Sequence, residues 1–362
     1  MRPRSRYVRT FIVDDAAYAA AVAEVTGPRR RLALLTRSSP RVAWESLVSS
    51  GEHVSDALPE QMAERLAAAR CHAVWTGGPN YPPLFADDPH RPAVLFVRGS
   101  LEVLASRRVG LIGTRAATAA GRATASMLGD ELSRAGVTVV SGLARGIDGA
   151  AHRGAVAAVR QGATGHPFGV VACGLDVMYP REHAALYDDV ASCGAIVSEW
   201  APGTPPDSFR FPLRNRILAA ACEVVVVVES REAGGSMITV EEAAVRGIPV
   251  MSVPGSPRNA TSAGANLLLQ QGCAPVLDVN DVLMALGLDH ARVERSAPRE
   301  RPLGDDGAVL AACGGGAMGL DDVMLATGFD VSRAALALGR LEALGWIVRS
   351  GAWWEVLVAS ES

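Results

Sequence analysis

Four short segments of this 362-residue chain carry residue types suited to holding an anion. Gly113-Thr114-Arg115 is followed by Thr118 and Gly121. The run SGLARGIDGAAH (141–152) supplies Ser141, Gly142, Arg145 and Gly146. In FRFPLRNRI (209–217), Arg210, Arg214 and Arg216 stand with Phe209, Phe211 and Asn215 and with no acid among them. EAGGSMITVEEA (232–243) opens on Gly234-Gly235-Ser236. Small residues let backbone approach a phosphate, and a helix N-terminus offers it unpaired N–H groups. Consecutive amides in a turn form an anion nest, and an adjacent guanidinium adds a charge-assisted fork. Arginine interleaved with aromatic rings is the composition of a single-stranded nucleic-acid surface, guanidinium on phosphate and ring on base. Four such loops exceed what one mononucleotide needs and suit a chain of phosphates. Asp148 reads as the N-cap of the helix that follows, and His152 as a packed side chain rather than a base.

Other chemistries lack their residues. All 35 cations are arginine, so a Walker loop, which needs its lysine, cannot be present. There is no GxGxxG after the first strand run, no GxSxG elbow, and no pair of carboxylates with an acid/base division of labour. The sequence therefore predicts no catalytic residues and no cofactor. The six cysteines are scattered without a CxxC or Cys/His cluster, which argues against a zinc site or disulfide framework and for a reduced, cytoplasmic setting. Arg2, Arg4, Arg6 and Arg9 precede no apolar core of a signal peptide. The most apolar stretch, Ile217 to Val228, is broken by Glu223 and too short to span a bilayer, so no membrane association is expected.

These segments need elements to position them. From Arg107 onward, continuous apolar runs at 109–114, 137–143, 169–175, 195–200, 224–230, 248–254 and 274–279 alternate with helical stretches. That pattern predicts a doubly wound α/β domain around a parallel sheet buried on both faces. In such a sheet, ligands sit at the carboxyl ends of the strands near a topological switch point, where the anion-suited loops fall. Residues 1–75 predict a small helical domain, with Ala-rich segments at 15–26, 41–50 and 57–70 and no clear strand. The α/β domain follows over 76–288. The polar stretch 289–307 reads as a linker. Residues 308–362 predict a winged helix: a helix at LDDVMLATG, a turn at Gly328, a helix from Ser332 to Gly345, and two β-rich runs around Ser350-Gly351.

The net charge of −3 hides a partition. Residues 1–106 carry 13 arginines against 11 acids, residues 107–280 carry 15 against 15, and residues 281–362 carry 7 against 12. Within the α/β region, residues 107–153 hold seven arginines and three acids, so positive charge gathers in the candidate loops. The predicted winged helix holds three arginines and six acids. A major-groove reader needs a basic footprint, so protein contact or regulation is the better expectation for that module.

SGLARGIDGAAHRGAV, CGLDVMYPREHAAL, GAIVSEWAPGTPP, FPLRNRI and GGSMITVEEA, in this order, resemble the DNA-processing proteins called DprA or Smf, over roughly residues 75 to 285. YPPLFADDPHRPAVLFVRGS resembles that family's lead-in to a Rossmann-like domain. The resemblance implies a non-enzymatic protein that binds single-stranded DNA, forms a homodimer through its Rossmann-like domain and helps load RecA recombinase. In naturally competent bacteria this protects incoming DNA and promotes transformation. Carried over by motif, the DNA pocket comprises Gly113-Thr114-Arg115, the Ser141–Gly146 loop, Phe211 with Arg214-Asn215-Arg216, and Gly234-Gly235-Ser236. The family's GTRxxTxYG usually carries a second arginine and an aromatic where Ala116 and Ala120 stand here. On this reading Arg115→Ala or Arg214→Ala lowers affinity several-fold without unfolding the chain. Two alternatives compete. A phosphoribohydrolase resembling the lysine-decarboxylase homologues would carry PGGxGTxxE, whereas AGGSMITVEE displaces Glu241 and Glu242 and has no GT. A ligand-sensing winged-helix transcription factor is opposed by the acidic C-terminal module.

Overall fold

The structure is a computed structural model that describes residues 13–50, 54–288 and 301–357. Four helices come first: α1 (Asp15–Val25), α2 (Pro28–Arg37), α3 (Pro40–Ser49) and α4 (Leu58–Ala68). Asp14 caps α1 by accepting from the Ala17 amide at 3.0 Å, and proline opens α2 and α3, where its missing N–H costs nothing. Their apolar faces meet in a core containing Val22, Leu35, Trp44, Leu47 and Met62.

The chain then alternates through β1 (His72–Trp75), α5 (Pro83–Ala86), β2 (Val94–Gly99), β3 (Arg108–Gly113), α6 (Ala119–Arg134), β4 (Thr138–Ser141), α7 (Ile147–Arg160), β5 (Pro167–Val171), α8 (Ala184–Cys193), β6 (Ala195–Ser198), α9 (Arg210–Ala220), β7 (Val224–Glu229), α10 (Gly235–Val245), β8 (Val250–Ser252), α11 (Ala263–Gln270), β9 (Ala274–Pro275) and α12 (Val279–Ala285). Among the described residues these strands form one nine-stranded sheet in the order β1-β2-β6-β5-β4-β3-β7-β8-β9. The seven strands from β3 onward pair in parallel. β1 and β2 extend the sheet antiparallel beyond β6. The apolar runs are buried on both faces: β4, β5, β6 and β7 have no exposed residue. Strand order reverses at β3, which has β4 on one side and β7 on the other, so the switch point lies between β3 and β7.

Two sequence-based boundaries shift. The last four residues of the helical segment 1–75 form β1, whose partner is β2 in the segment read only as a lead-in. The linker expected over 289–307 ends earlier, because α13 (Gly304–Cys313) begins at Gly304; residues 289–300 and 1–12 lie outside the described residues. The C-terminal segment continues as β10 (Met318–Gly319), α14 (Leu320–Thr327), α15 (Val331–Ala343), β11 (Ile347–Ser350) and β12 (Trp353–Val356). Gly328 closes α14 in the left-handed conformation, with φ 71°. Its strands make a separate antiparallel sheet in the order β10-β12-β11, over a core of Val309, Val323, Leu338 and Leu341. Among the described residues no helix is long and apolar enough to cross a membrane.

Candidate nucleic-acid interface

The carboxyl ends of β3 and β7 open into a cavity of about 640 Å³. Gly113, Thr114 and Arg115 line one wall, Gly234, Gly235 and Ser236 another, and Phe211, Arg214 and Asn215 a third. A second cavity of about 210 Å³ adjoins it across Arg115, Ala144, Tyr179 and Phe211, and it takes in Gly142 and Arg145. Of the residues singled out in the sequence, Thr118, Gly121, Ser141, Gly146, His152, Phe209, Arg210 and Arg216 line neither. The Ser141 hydroxyl is buried and donates to the Leu111 carbonyl at 2.6 Å. Gly146 packs against the Thr114 and Arg115 backbone at φ 75°, where any side chain would be strained and would clash. Arg210 stacks its guanidinium 5.0 Å from the Phe209 ring and donates to the Pro205 carbonyl. Arg216 donates to the His90 carbonyl at 2.6 Å and is ion-paired with Glu199.

The anion-suited loops are not equivalent. At the start of α6, the Thr118 N–H donates to the Glu229 carboxylate at 2.8 Å, and the Gly121 N–H to the Thr118 hydroxyl at 3.0 Å. The Thr114 N–H donates to the Glu229 carbonyl at 2.7 Å. Glu229 is buried and also accepts from Asn259 at 3.4 Å and from Thr261, so an internal carboxylate occupies that helix end. The 142–146 turn is filled likewise: the Gly142 and Ala144 amides face the Asp148 carboxylate. Asp148 is the second residue of α7, not its cap; Gly146 holds that position because only glycine takes its backbone angle readily. At α10, no side chain caps the helix, and a Cβ built on Gly235 would meet nothing within 4 Å. That eleven-residue helix therefore presents its N-terminal amides to the larger cavity.

Arg115 holds its guanidinium 4.4 Å from the Phe211 centroid, and the Tyr179 ring lies 5.7 Å beyond Phe211. Arg231 shares the cavity with Arg115, and neither forms an ion pair among the described residues. Arg145, in contrast, is paired with Glu182. Arg214 is buried: it donates to the Val170 carbonyl and faces Asp148 across Gly142, where a Cβ would strike both side chains. Burial pushes the Asp148 carboxyl up and the Arg214 guanidinium down, and the opposite charge of each counters the shift of the other.

Phe211, Arg214, Asn215 and Leu218 stand at helical spacings of three and four and share the cavity-facing side of α9. Asn215 ties α9 to α10 by donating to the Gly235 carbonyl at 3.3 Å. Tyr179 and Arg231 escape the sequence reading. Tyr179 lies in a loop between β5 and α8 whose path only the fold sets; Arg231 had a signal, standing three residues before Gly234.

A family model described as DNA recombination-mediator protein A matches residues 72–287. The DNA processing protein DprA of Bacillus subtilis is 39% identical over 196 residues, which is 54% of this chain and 64% of that protein. Its Streptococcus pneumoniae counterpart is 38% identical over 192 residues, 53% of this chain and 66% of the relative, so each alignment spans less than two thirds of the relative. Protein Smf of Escherichia coli is 33% identical over 275 residues, 74% of this chain and 72% of that protein. The solved S. pneumoniae DprA superposes with a TM-score of 0.60 at 28% identity, covering 76% of this chain and 94% of that one. A Helicobacter pylori DprA structure, described for its single-stranded DNA binding mode, gives 0.53 at 27% identity over 58% of this chain and 94% of that one.

Proposed function

The chain belongs to the DNA recombination-mediator protein A family, and from that premise we propose that it binds single-stranded DNA in the switch-point cavity and acts as a recombination mediator without catalysing a reaction. The observation that carries this reading is the uncapped N-terminus of α10 in the same cavity as Arg115, which lies stacked on Phe211. Helix amides and guanidinium take phosphate, while the ring takes a base face. The relative from H. pylori is described as binding single-stranded DNA, and the family is described as a recombination mediator; from the family resemblance we take RecA as the partner it helps load, in the cytoplasm. In a naturally competent host the same activity serves transformation.

We read the C-terminal module as a winged helix that contacts protein rather than duplex DNA. Its α15 arginines are engaged internally: Arg333 is bidentate on Asp305 at 2.7 and 2.8 Å, and Arg340 is paired with Asp306 at 2.6 Å. Such pairing leaves no basic footprint on that helix.

Fluorescence titration of labelled oligo-dT over a salt series tests the reading. Binding should weaken linearly in log–log form as salt rises. Arg115→Ala should lower affinity several-fold and reduce the slope by about 0.7, one phosphate contact on a single strand. Wild-type protein that binds no oligo-dT at low salt sinks the proposal. Arg214→Ala probes something else. It removes the cation that faces the buried Asp148 and leaves a void in the interior, so lost binding would be confounded with lost fold.

A further inference from the structure

We propose that His183 is a positioning residue, a clasp that fixes the 142–146 turn against the segment carrying Tyr179; the inference rests on the single-stranded DNA reading above. His183 closes the short 3-10 helix Arg181–His183, and its ring is buried. Its Nδ1 lies 3.0 Å from the Leu143 carbonyl, and its Nε2 3.1 Å from an Arg153 guanidinium nitrogen. A carbonyl can only accept and a guanidinium can only donate. Both bonds therefore form together only with the ring proton on Nδ1, which donates to Leu143 while Nε2 accepts from Arg153. Glycine makes room for the ring: a Cβ on Gly149 would stand 2.5 Å from its Cε1.

The clasp holds backbone that has reason to move. Leu143 has φ 55°, in the left-handed region where a β-carbon crowds the following carbonyl. Its side chain is buried against Gly169 of β5, so packing pins one end of the residue and His183 the other. Gly142, Ala144 and Arg145, on either side of it, line the smaller cavity. Across the clasp, the His183 N–H donates to the Pro180 carbonyl at 3.0 Å, and the Tyr187 hydroxyl to the Tyr179 carbonyl at 2.8 Å. Tyr179 borders both cavities, whereas His183 lines neither.

Arg145 and Glu182 join the same two segments, but both side chains are more than half exposed and solvent weakens the pair. The imidazole is the buried tie. Without it, Leu143 is free to leave the left-handed region, and the turn and Tyr179 no longer share one geometry before DNA arrives. The strand must then order them on binding, which lowers affinity without removing any contact to DNA.

Two amide variants separate the ring nitrogens, because asparagine carries its N–H near the position of Nδ1 and glutamine near that of Nε2. Full-length His183→Asn and His183→Gln are titrated with labelled oligo-dT over a salt series, with circular dichroism as the check on folding. His183→Asn keeps the bond to Leu143 and should bind as wild type does. His183→Gln leaves that carbonyl unpaired and should bind about fivefold more weakly, the scale of one hydrogen bond. Its salt slope should not change, since no phosphate contact is lost. In a Tyr179→Ala background the same replacement should cost less, because the clasp has lost a ring that it positions. Multiple-bond proton–nitrogen spectra of the wild type should place the His183 proton on Nδ1.

A folded His183→Gln that binds like wild type overturns the clasp and leaves the DNA reading standing. So does His183→Asn losing as much as His183→Gln, an equal loss with and without Tyr179, or a ring proton found on Nε2. A glutamine variant unfolded at the titration temperature makes the tie purely structural and likewise overturns the clasp. Wild-type protein that binds no oligo-dT overturns the underlying reading instead.

Discussion

His152 lies fully buried one turn into α7, with its Nε2 3.3 Å from the Phe168 carbonyl and its Nδ1 without a hydrogen-bond partner among the described residues. Burial pulls its pKa from 6.5 down to about 4, because desolvation penalises the charged imidazole and the nearby His183, Arg214 and Arg153 add like charge. Between those two values the unfolded chain takes up a proton that the folded chain refuses. Stability is therefore lost as pH falls from about 6.5 toward 4, by up to about 3 kcal/mol at 1.36 kcal/mol per unit. Asp148, pushed up by burial, acts in the opposite sense. His152→Gln should flatten the dependence of the urea midpoint on pH across that window, and an unchanged slope would remove His152 from the account. The packed role of this histidine was legible, since it sits inside an Ala-rich helix. The fates of Arg214 and Arg216 were less so. Two residues apart on α9 they point to different neighbours, one to Asp148 and the other to Glu199. Neither partner is close in sequence, so only the folded sheet reveals that one arginine borders the cavity and the other braces α9.

At the scale of elements, the parallel strands could be read directly because burial on both faces requires unbroken apolar runs. β1 and β2 could not, since each depends on an antiparallel neighbour far along the chain: His72 pairs with Val97, and Val97 with Val197. The relation between α6 and α7 was hidden too. These helices approach so closely that a Cβ on Gly129 would strike the Ala151 carbonyl, and one on Gly154 the Ser126 carbonyl. Close approach seats both helix starts beside the switch point, where Thr118 and Gly146 shape the cavity wall from behind. Gly154→Ala should therefore destabilise the chain by about 1–3 kcal/mol, the range for overpacking a well-filled interior. This runs against the gain of up to about 1 kcal/mol that alanine brings to an exposed helix site. Urea denaturation decides the sign; a stabilised variant would mean the helices can part without cost.

For the whole molecule, the two edges of the nine-stranded sheet differ. β1 packs against α1 and α4, whereas β9 is exposed; Leu277, two residues after it, is 76% exposed, and Met284 on the following α12 is 67% exposed. An open edge flanked by large apolar side chains is a pairing liability unless something covers it. The homodimer expected from the family resemblance would cover it with a second copy. Two cavities on one dimer would then engage a single long strand, and the second contact would form at an effective concentration set by the DNA between them. Leu277→Asp combined with Met284→Asp places like charges across such a contact. The variant should run as a monomer in light scattering and bind a short oligo-dT as wild type does. It should lose about tenfold or more on an oligomer long enough to bridge both sites. A variant that stays dimeric moves the interface elsewhere on the molecule. One that is monomeric yet keeps full affinity for the long oligomer shows that each cavity works alone.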